Sequence, residues 1–434
     1  MKTTKKKKGV FVMFSSMGYH TFAISMNLTK EDATQLFKDF KKYRDRTQKI
    51  CIIECPKYKN DPSGRHFEVK YLGHYKGISW KIRFSNSGFM IDDKYMSCSV
   101  KAIINPKILT GEKSYIIAAN ANYLEKIEEI FNTEAKDISP ILKEFESYSL
   151  NRLDYCINIA VPEIRTLPVD CGKKLPEKIM QLIRYSDIPN KFSIGYDDPY
   201  QFYLKSGTVV INCYWKYPEL AKKFKKCDDL EKSRDIIRFE VQYKYPKIFQ
   251  SIEKIKKISA KYRSDTIRNL DMQTACDSDD SIEVRDMKYR QSVKMLSNCP
   301  PILLSKKMYM MNMMSDEMCM NVIKRYYDKT IKTGDYYSYH YAERIILDQV
   351  SKGEKIYRLI DVLKLIREKG GIANAKAGMC GNDLEKFRES LRDLRDLGIN
   401  PVLIPDEWGI DHIRNLLDAY YDQLNREDIV PWSV

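Results

Sequence analysis

Asn151-Arg-Leu-Asp-Tyr-Cys-Ile-Asn-Ile159 is the stretch whose reading decides the fold. At period two, Leu153, Tyr155, Ile157 and Ile159 fall on one face, and Arg152, Asp154, Cys156 and Asn158 on the other. Successive side chains of an extended chain point to opposite sides, so this alternation marks a half-buried β-strand. An Arg and an Asp are thereby fixed together on the polar face.

Two later stretches repeat the arrangement. In Thr208-Val-Val-Ile-Asn-Cys-Tyr-Trp-Lys216, the apolar face is Val209, Ile211, Cys213 and Trp215, and Asn212, Tyr214 and Lys216 share the other. In Arg238-Phe-Glu-Val-Gln-Tyr-Lys244, Phe239, Val241 and Tyr243 turn inward while Arg238, Glu240, Gln242 and Lys244 face out. If the three strands are neighbours, one sheet face gathers Asp154, Glu240, Tyr214, Lys216, Arg152 and Arg238. Two carboxylates and the Asn158 amide are hard oxygen ligands suited to Mg²⁺ or Mn²⁺. A tyrosine hydroxyl can act as a covalent nucleophile if a neighbouring Lys, Arg or metal favours its phenolate, and arginines clamp phosphate in a bidentate fork. The bland alternative is a solvated face laced with cross-strand ion pairs.

Elsewhere the chain alternates helices with groups of strands. Residues 9–26 read as two strands or a hairpin. Thr29 opens a helix with Asp32 three residues on, carried by Ala33, Leu36, Phe37, Phe40 and Tyr43. Strands follow near 50–55, 65–72, 78–84 and 97–105, then helices from Asn122 and from Pro140 to Tyr148, the 151–160 strand, a helix near 175–185, and strands near 200–216 and 235–244. This predicts an α+β fold, a mainly antiparallel sheet covered by helices, with no clear internal repeat and no glycine-rich phosphate loop. From Pro246 the character changes. Residues 247–262 read as a basic helix bearing Lys254 and Lys257, 263–282 as a linker ending in acidic residues, and 283–434 as a helical region. Its stripes stop at Gly370-Gly371 and at Gly398, and Ser338 is placed as an N-cap. In outline this region resembles a helix-turn-helix, which any small helical bundle would also do. The expected division is therefore 1–262, 263–282 and 283–434.

A formal net charge of +15, with 30 tyrosines, favours a polyanionic partner, most simply nucleic acid. The 11 cysteines show no CxxC pair and no histidines at zinc spacing, which suits free thiols in a reducing cytoplasm. No signal peptide and no membrane span are expected.

Arg152-Leu-Asp-Tyr-Cys-Ile-Asn158, the hairpin Phe202-Tyr-Leu-Lys-Ser-Gly-Thr208 leading to Cys213-Tyr-Trp-Lys216, and Arg238-Phe-Glu-Val241 occur in that order. They resemble the three blocks of the rolling-circle replication initiators and relaxases of plasmids, phages and integrative elements. Gly334-Asp-Tyr-Tyr-Ser338 and Leu397-Gly-Ile-Asn-Pro-Val402 are similar to replication proteins of phages and plasmids. The resemblance implies a nickase whose tyrosine attacks a DNA phosphodiester at an origin with a divalent metal, leaving a 5′-phosphotyrosyl link and a free 3′-hydroxyl. By position, Tyr214 would be the nucleophile, Asp154 and Glu240 metal ligands with Asn158 as the third, Lys216 a phosphate or phenolate stabiliser, and Arg238 a substrate-orienting group. Arg152, Lys244, Lys254 and Lys257 would contact DNA. A host helicase and a second copy of the chain are further candidate partners. The chain departs from the pattern at Asn158, where the family often has Asp, and at Asn212, where it usually has Arg. Tyr203 and Tyr217 are rival nucleophiles, and no His-x-His pair occurs among the five histidines. The alternative is a non-catalytic DNA-binding protein on the same scaffold. A single-strand or RNA binder using aromatic stacking is a third reading.

Overall fold

The computed structural model describes residues 16–48, 50–54, 66–73, 77–91, 94–112, 114–161, 175–186, 193–198, 200–224, 227–255 and 306–424. Ten strands form one wholly antiparallel sheet: β1 (Ser16–Leu28), β2 (Ile50–Glu54), β3 (His66–Gly73), β4 (Ile78–Ile91), β5 (Lys94–Ile104), β6 (Ser149–Ala160), β7 (Ser193–Asp198), β8 (Gln201–Lys205), β9 (Val209–Trp215) and β10 (Ile236–Lys244). Their order across the sheet is β2-β3-β4-β5-β1-β6-β10-β9-β8-β7.

That order contains a repeat. β1 is followed by the helix Lys30–Thr47 and a four-strand meander whose last strand, β5, returns beside β1. β6 is followed by the helix Leu175–Arg184 and a second meander whose last strand, β10, returns beside β6. The two units meet at the antiparallel β1–β6 pair, in the middle of the sheet. The fold thus contains two successive β-helix-ββββ units, a repeat of topology that the sequence does not show as an internal repeat.

Helices cover one face. Leu153, Tyr155, Ile157 and Ile159 are buried there, as the period-two reading requires. Trp80 on β4 packs against Phe40 and Phe131 of two covering helices, with ring centroids 5.9 and 5.3 Å apart. The first helix is capped as its sequence demands, with the Thr29 hydroxyl accepting from the Asp32 backbone N–H. Pro140–Tyr148 is no helix; only the short turn Phe145–Ser147 is wound. Residues 9–26 do not make a hairpin within the described part: Ser16–Leu28 is one continuous strand. The side chains of Phe67, Val69, Tyr71 and Phe84 lie outside the described residues, as do Lys257 and the segment 263–282.

The C-terminal helices finish the core of the sheet. Tyr155 Oη donates to the Met313 carbonyl at 2.8 Å, and Phe239 meets Tyr327 edge to face at 5.4 Å. Beyond them, helices Tyr339–Gln349, Gly353–Glu368 and Gly381–Asp396 build a further layer. Gly334-Asp-Tyr-Tyr-Ser338 and Leu397-Gly-Ile-Asn-Pro-Val402 lie against each other here, through a parallel bridge between Asp335 and Ile399. Among the described residues no helix is long and apolar enough to cross a membrane, and the described cysteines are free thiols.

The segment 114–119 crosses the sheet at Gly18, where Tyr19 and Ala119 exchange backbone hydrogen bonds of 2.7 and 3.0 Å. A Cβ on Gly18 would stand 2.0 Å from the Ala119 carbonyl oxygen. Backbone must move to admit it, so Gly18→Ala should cost at least about 1–3 kcal/mol, read as a lower urea midpoint at unchanged slope. An unchanged midpoint would show that the crossing is loose.

Candidate active site

The register sets out the polar face as a lattice. One row across the sheet is Gln201 (β8), Tyr214 (β9), Arg238 (β10), Asn158 (β6) and Ser16 (β1). The next is Tyr203, Asn212, Glu240, Cys156 and Gly18, and in the third Gln242 pairs with Asp154 and Asp154 with Thr21. The three stretches singled out by sequence therefore lie side by side, and Asp154, Glu240, Tyr214 and Arg238 share one face.

That face is not solvated at its centre. Asn158 and Arg238 are fully buried, and Asp154, Glu240 and Lys216 nearly so. Two segments close over them: residues 114–119, and the helical turns Lys216–Lys223 and Asp228–Lys232. A small apolar cluster of Ile116, Leu220 and Ile236 holds these segments to the sheet. Asp229 anchors the first segment by accepting from the Ser114 hydroxyl and the Tyr115 backbone N–H.

Arg238 is the hub. Its Nε donates to Asn158 Oδ1 at 2.6 Å, its Nη2 to the Tyr115 carbonyl at 3.2 Å and its Nη1 to Glu240 Oε1 at 3.5 Å. Asn158 completes its bonding by donating from Nδ2 to the Ile116 carbonyl. Tyr214 Oη donates to the same Glu240 oxygen at 2.9 Å. Burial, then the charge of Glu240, push the Tyr214 phenol well above its ordinary pKa, against the opposing pull of Arg238. The neighbouring cations expected to favour a phenolate are present, but the phenol form wins in this state. Lys216 lies over the Tyr214 ring at 5.7 Å and donates to Glu219 at 2.6 Å. Burial and the charge of Arg238 lower Lys216 to about 8, and burial with Arg238 lowers Lys107 to about 7.

Asp154 is held separately. Arg152 donates to both of its oxygens and Thr21 to one of them. Arg152 keeps an exposed edge, Lys244 donates to the Ser206 carbonyl at 2.8 Å, and Lys254 is exposed on the helical segment 245–255.

Lys107, Glu219 and His20 were not assigned from sequence, and His20 enters by an irregularity of the strand. Between Tyr19 and Thr21 the β1–β6 register shifts, so that His20 is an extra residue in β1. A bulge of this kind re-aims a side chain, and His20 Nδ1 reaches to 3.9 Å from Glu240 Oε1. Burial, followed by Arg238 and Lys216, holds the imidazole far below its usual pKa, so it is neutral at physiological pH. No periodicity announces a bulge; a His amid Ser15-Ser-Met-Gly-Tyr-His-Thr21 was the only available signal.

The donor set admits a divalent ion only in part. Glu240 and Asp154 offer hard oxygens and His20 an unprotonated nitrogen. Asn158 does not fit, because its amide oxygen accepts from Arg238 and its amide nitrogen is also engaged. Among the described residues no group of three or more His, Cys, Asp or Glu is spaced to hold a metal by itself. A Mg²⁺ or Mn²⁺ ion here would need further oxygen ligands, from water or a bound molecule, to complete its shell.

The chain matches no protein-family profile and no curated protein. Among solved structures, a rolling circle replication initiator protein from Geobacillus stearothermophilus is similar, with 11% identity over 54% of this chain and 76% of that chain and a TM-score of 0.23. A superposition at that level fixes neither fold nor activity, so the site stands on its own geometry.

Arg238→Met should leave the Asn158 amide oxygen, Glu240 and the Tyr115 carbonyl without their buried donor. Breaking one side of a buried charged pair costs about 3–5 kcal/mol. Urea denaturation should show that loss, and a change below about 1 kcal/mol, the scale of a surface pair, would mean the hub carries little.

Proposed function

We propose that the polar box on β1, β6, β9 and β10 cleaves one strand of DNA at a replication origin, with Tyr214 as nucleophile. The observation that carries this reading is the Tyr214 hydroxyl donating to Glu240 beside Arg238 and Lys216. A weak nucleophile needs a proton acceptor within hydrogen-bond reach, and Glu240 supplies it. The box sets Arg152, Lys107, Lys216 and Arg238 among Asp154, Glu219, Asp229 and Glu240. Burial first, and the charge of Arg238 second, lower the pKa values of Lys107 and Lys216.

In the proposed reaction the Tyr214 oxygen attacks phosphorus, and its proton passes to Glu240. The bond from phosphorus to the 3′-oxygen breaks, the 3′-oxygen takes a proton from water, and Glu240 releases the tyrosine's proton to solvent, so that the charge balances. The product is a 5′-phosphotyrosine with a free 3′-hydroxyl. Lys216 faces the growing negative charge. Arg238, being fully buried, acts as a positioning residue through Glu240 and Asn158 and does not touch the strand itself. A Mg²⁺ or Mn²⁺ ion held by Glu240 and Asp154, with His20 beside them, would supply Lewis-acid stabilisation of the phosphoryl oxygens. Arg152 and Lys244 lie along the same face as contacts for the bound strand, and the C-terminal helices are assigned to duplex DNA, in helix-turn-helix fashion.

One observation favours a second reading. Both oxygens of Asp154 are occupied by Arg152 and Thr21, and the Tyr214 phenol is held above its ordinary pKa. A box locked in that state would bind DNA without cutting it.

A nicking assay on supercoiled plasmid carrying the neighbouring origin, with Mg²⁺ or Mn²⁺, separates the two. The expected result is nicking by the wild type and a loss of at least about 10³-fold in Tyr214→Phe; equal nicking by both sinks the assignment. The pH profile adds a second check. Lys216 keeps its proton below pH about 8 and loses it above, so kcat/KM should fall on the alkaline side near pH 8. Lys216→Arg should remove that limb. Between about 8 and the ordinary 10.5 the unfolded chain binds the extra proton, so Lys216 by itself makes the fold more stable as pH rises; the buried Cys156 and Cys213 thiols, whose pKa values burial raises, act in the opposite sense, so circular dichroism over the same range checks that the fold is intact.

A further inference from the structure

The C-terminal helical layer has a cationic cleft of about 310 Å³, remote in sequence from the polar box. Arg388, Arg392 and Arg395 of the helix Gly381–Asp396 line it together with Lys332, over an apolar floor that includes Leu391 and Pro401. Positions four and three apart stand on one face of a helix, so the three arginines form a row. Among the described residues no Asp or Glu lines the cleft.

That absence is not for want of carboxylates on the helix. Two of them, Glu389 and Asp393, are used toward the neighbouring helix. Asp393 accepts from Lys355 at 2.9 Å and from Arg358 at 2.6 Å, and Arg358 also pairs with Glu389 at 2.9 Å. Lys355 and Arg358 belong to the neighbouring helix Gly353–Glu368. The acidic face of one helix is thus neutralised by the basic face of the next, while the arginine face is left to the cleft. Arg388 and Arg392 are exposed and have no ion-pair partner among the described residues. Arg395 is steadied by its Nε donating to the Leu391 carbonyl at 2.9 Å, with the rest of the guanidinium still available. The adjoining rim adds Lys386 and Glu385, besides Glu389 already held by Arg358.

We infer that this cleft binds phosphate groups of a DNA backbone, as a second contact separate from the box on the sheet. Guanidinium forks match phosphate oxygens in pairs. From Arg388 to Arg395 the helix advances about 10 Å at 1.5 Å per residue. A duplex strand offers a phosphate about every 3.4 Å of axis, so the row spans successive phosphates where a single free anion would leave part of it unused. The DNA identity of the occupant rests on the proposed function. The anion site rests on the cleft alone.

The test uses the full chain, a fluorescein-labelled 30-base-pair duplex of arbitrary sequence, and the variant Arg388→Gln/Arg392→Gln. Both positions are exposed, so the fold is expected to hold, as circular dichroism would check. Each lost phosphate contact lowers the slope of log K against log salt by about 0.9. The double variant should therefore lose about 2 from that slope and bind about 10-fold or more weakly at low salt. Inorganic phosphate should compete no better than chloride at equal ionic strength. Unchanged slope and affinity would overturn the proposal. So would calorimetric one-to-one binding of inorganic phosphate that the variant loses while its DNA binding stays intact, since the cleft would then hold a free anion. Failure of Tyr214 to form a DNA adduct, with the arginine effect still present, would strike the proposed function and leave this site standing.

Discussion

A guanidinium with no access to solvent organises this molecule. Burying a charge is costly unless every donor finds an acceptor, and Arg238 finds them on three separate pieces of chain: Asn158 on the neighbouring strand, Glu240 two residues along its own, and the Tyr115 carbonyl of the segment that crosses above. The first of these bonds helps to fix the register of β6 against β10. The last draws the 114–119 segment down over the sheet. The same contacts hold Glu240 where Tyr214 can donate to it. Structural and chemical roles are therefore hard to separate, and the cluster is also where Tyr214 is raised and Lys216, Lys107 and His20 are lowered from their ordinary pKa values, by burial first.

Much of this was legible in the chain. Alternation along 151–159, 208–216 and 238–244 told which side chains face the core, and the burial of Leu153, Tyr155, Ile157, Phe239 and Val241 follows from it. The same parity placed Asp154, Asn158, Tyr214, Arg238 and Glu240 on one face before any contact was known. What periodicity cannot convey is what lies above a face. Asn158 and Arg238 read as members of an outward polar face and are buried, because a loop 42 residues before Asn158 and a helix following β9 fold across them.

The remaining misses have the same origin in long-range geometry. His20 enters the site through a bulge, which adds one residue to a strand without altering its composition. The repeat of the two units is one of topology, with no matching sequence in the meanders of β2–β5 and β7–β10, so internal similarity gave no warning of it. The helices after residue 306 look like an independent bundle in the chain because their apolar stripes are complete. In the fold, Met313 and Tyr327 close the inner face of β6 and β10, opposite the polar box. The box is therefore backed by a rigid core, as a site that must hold a nucleophile in place requires.

The central claim is chemical: one tyrosine of many becomes bonded to DNA. Mass spectrometry of tryptic peptides, after incubation of the full chain with a single-stranded oligonucleotide from the neighbouring origin and a divalent metal, reads it directly. The account predicts a nucleotide-phosphate adduct on Tyr214, carrying the 5′ end of the cleaved product. An adduct on Tyr203 or Tyr217 in its place, or cleavage with no covalent adduct on any tyrosine, would contradict it.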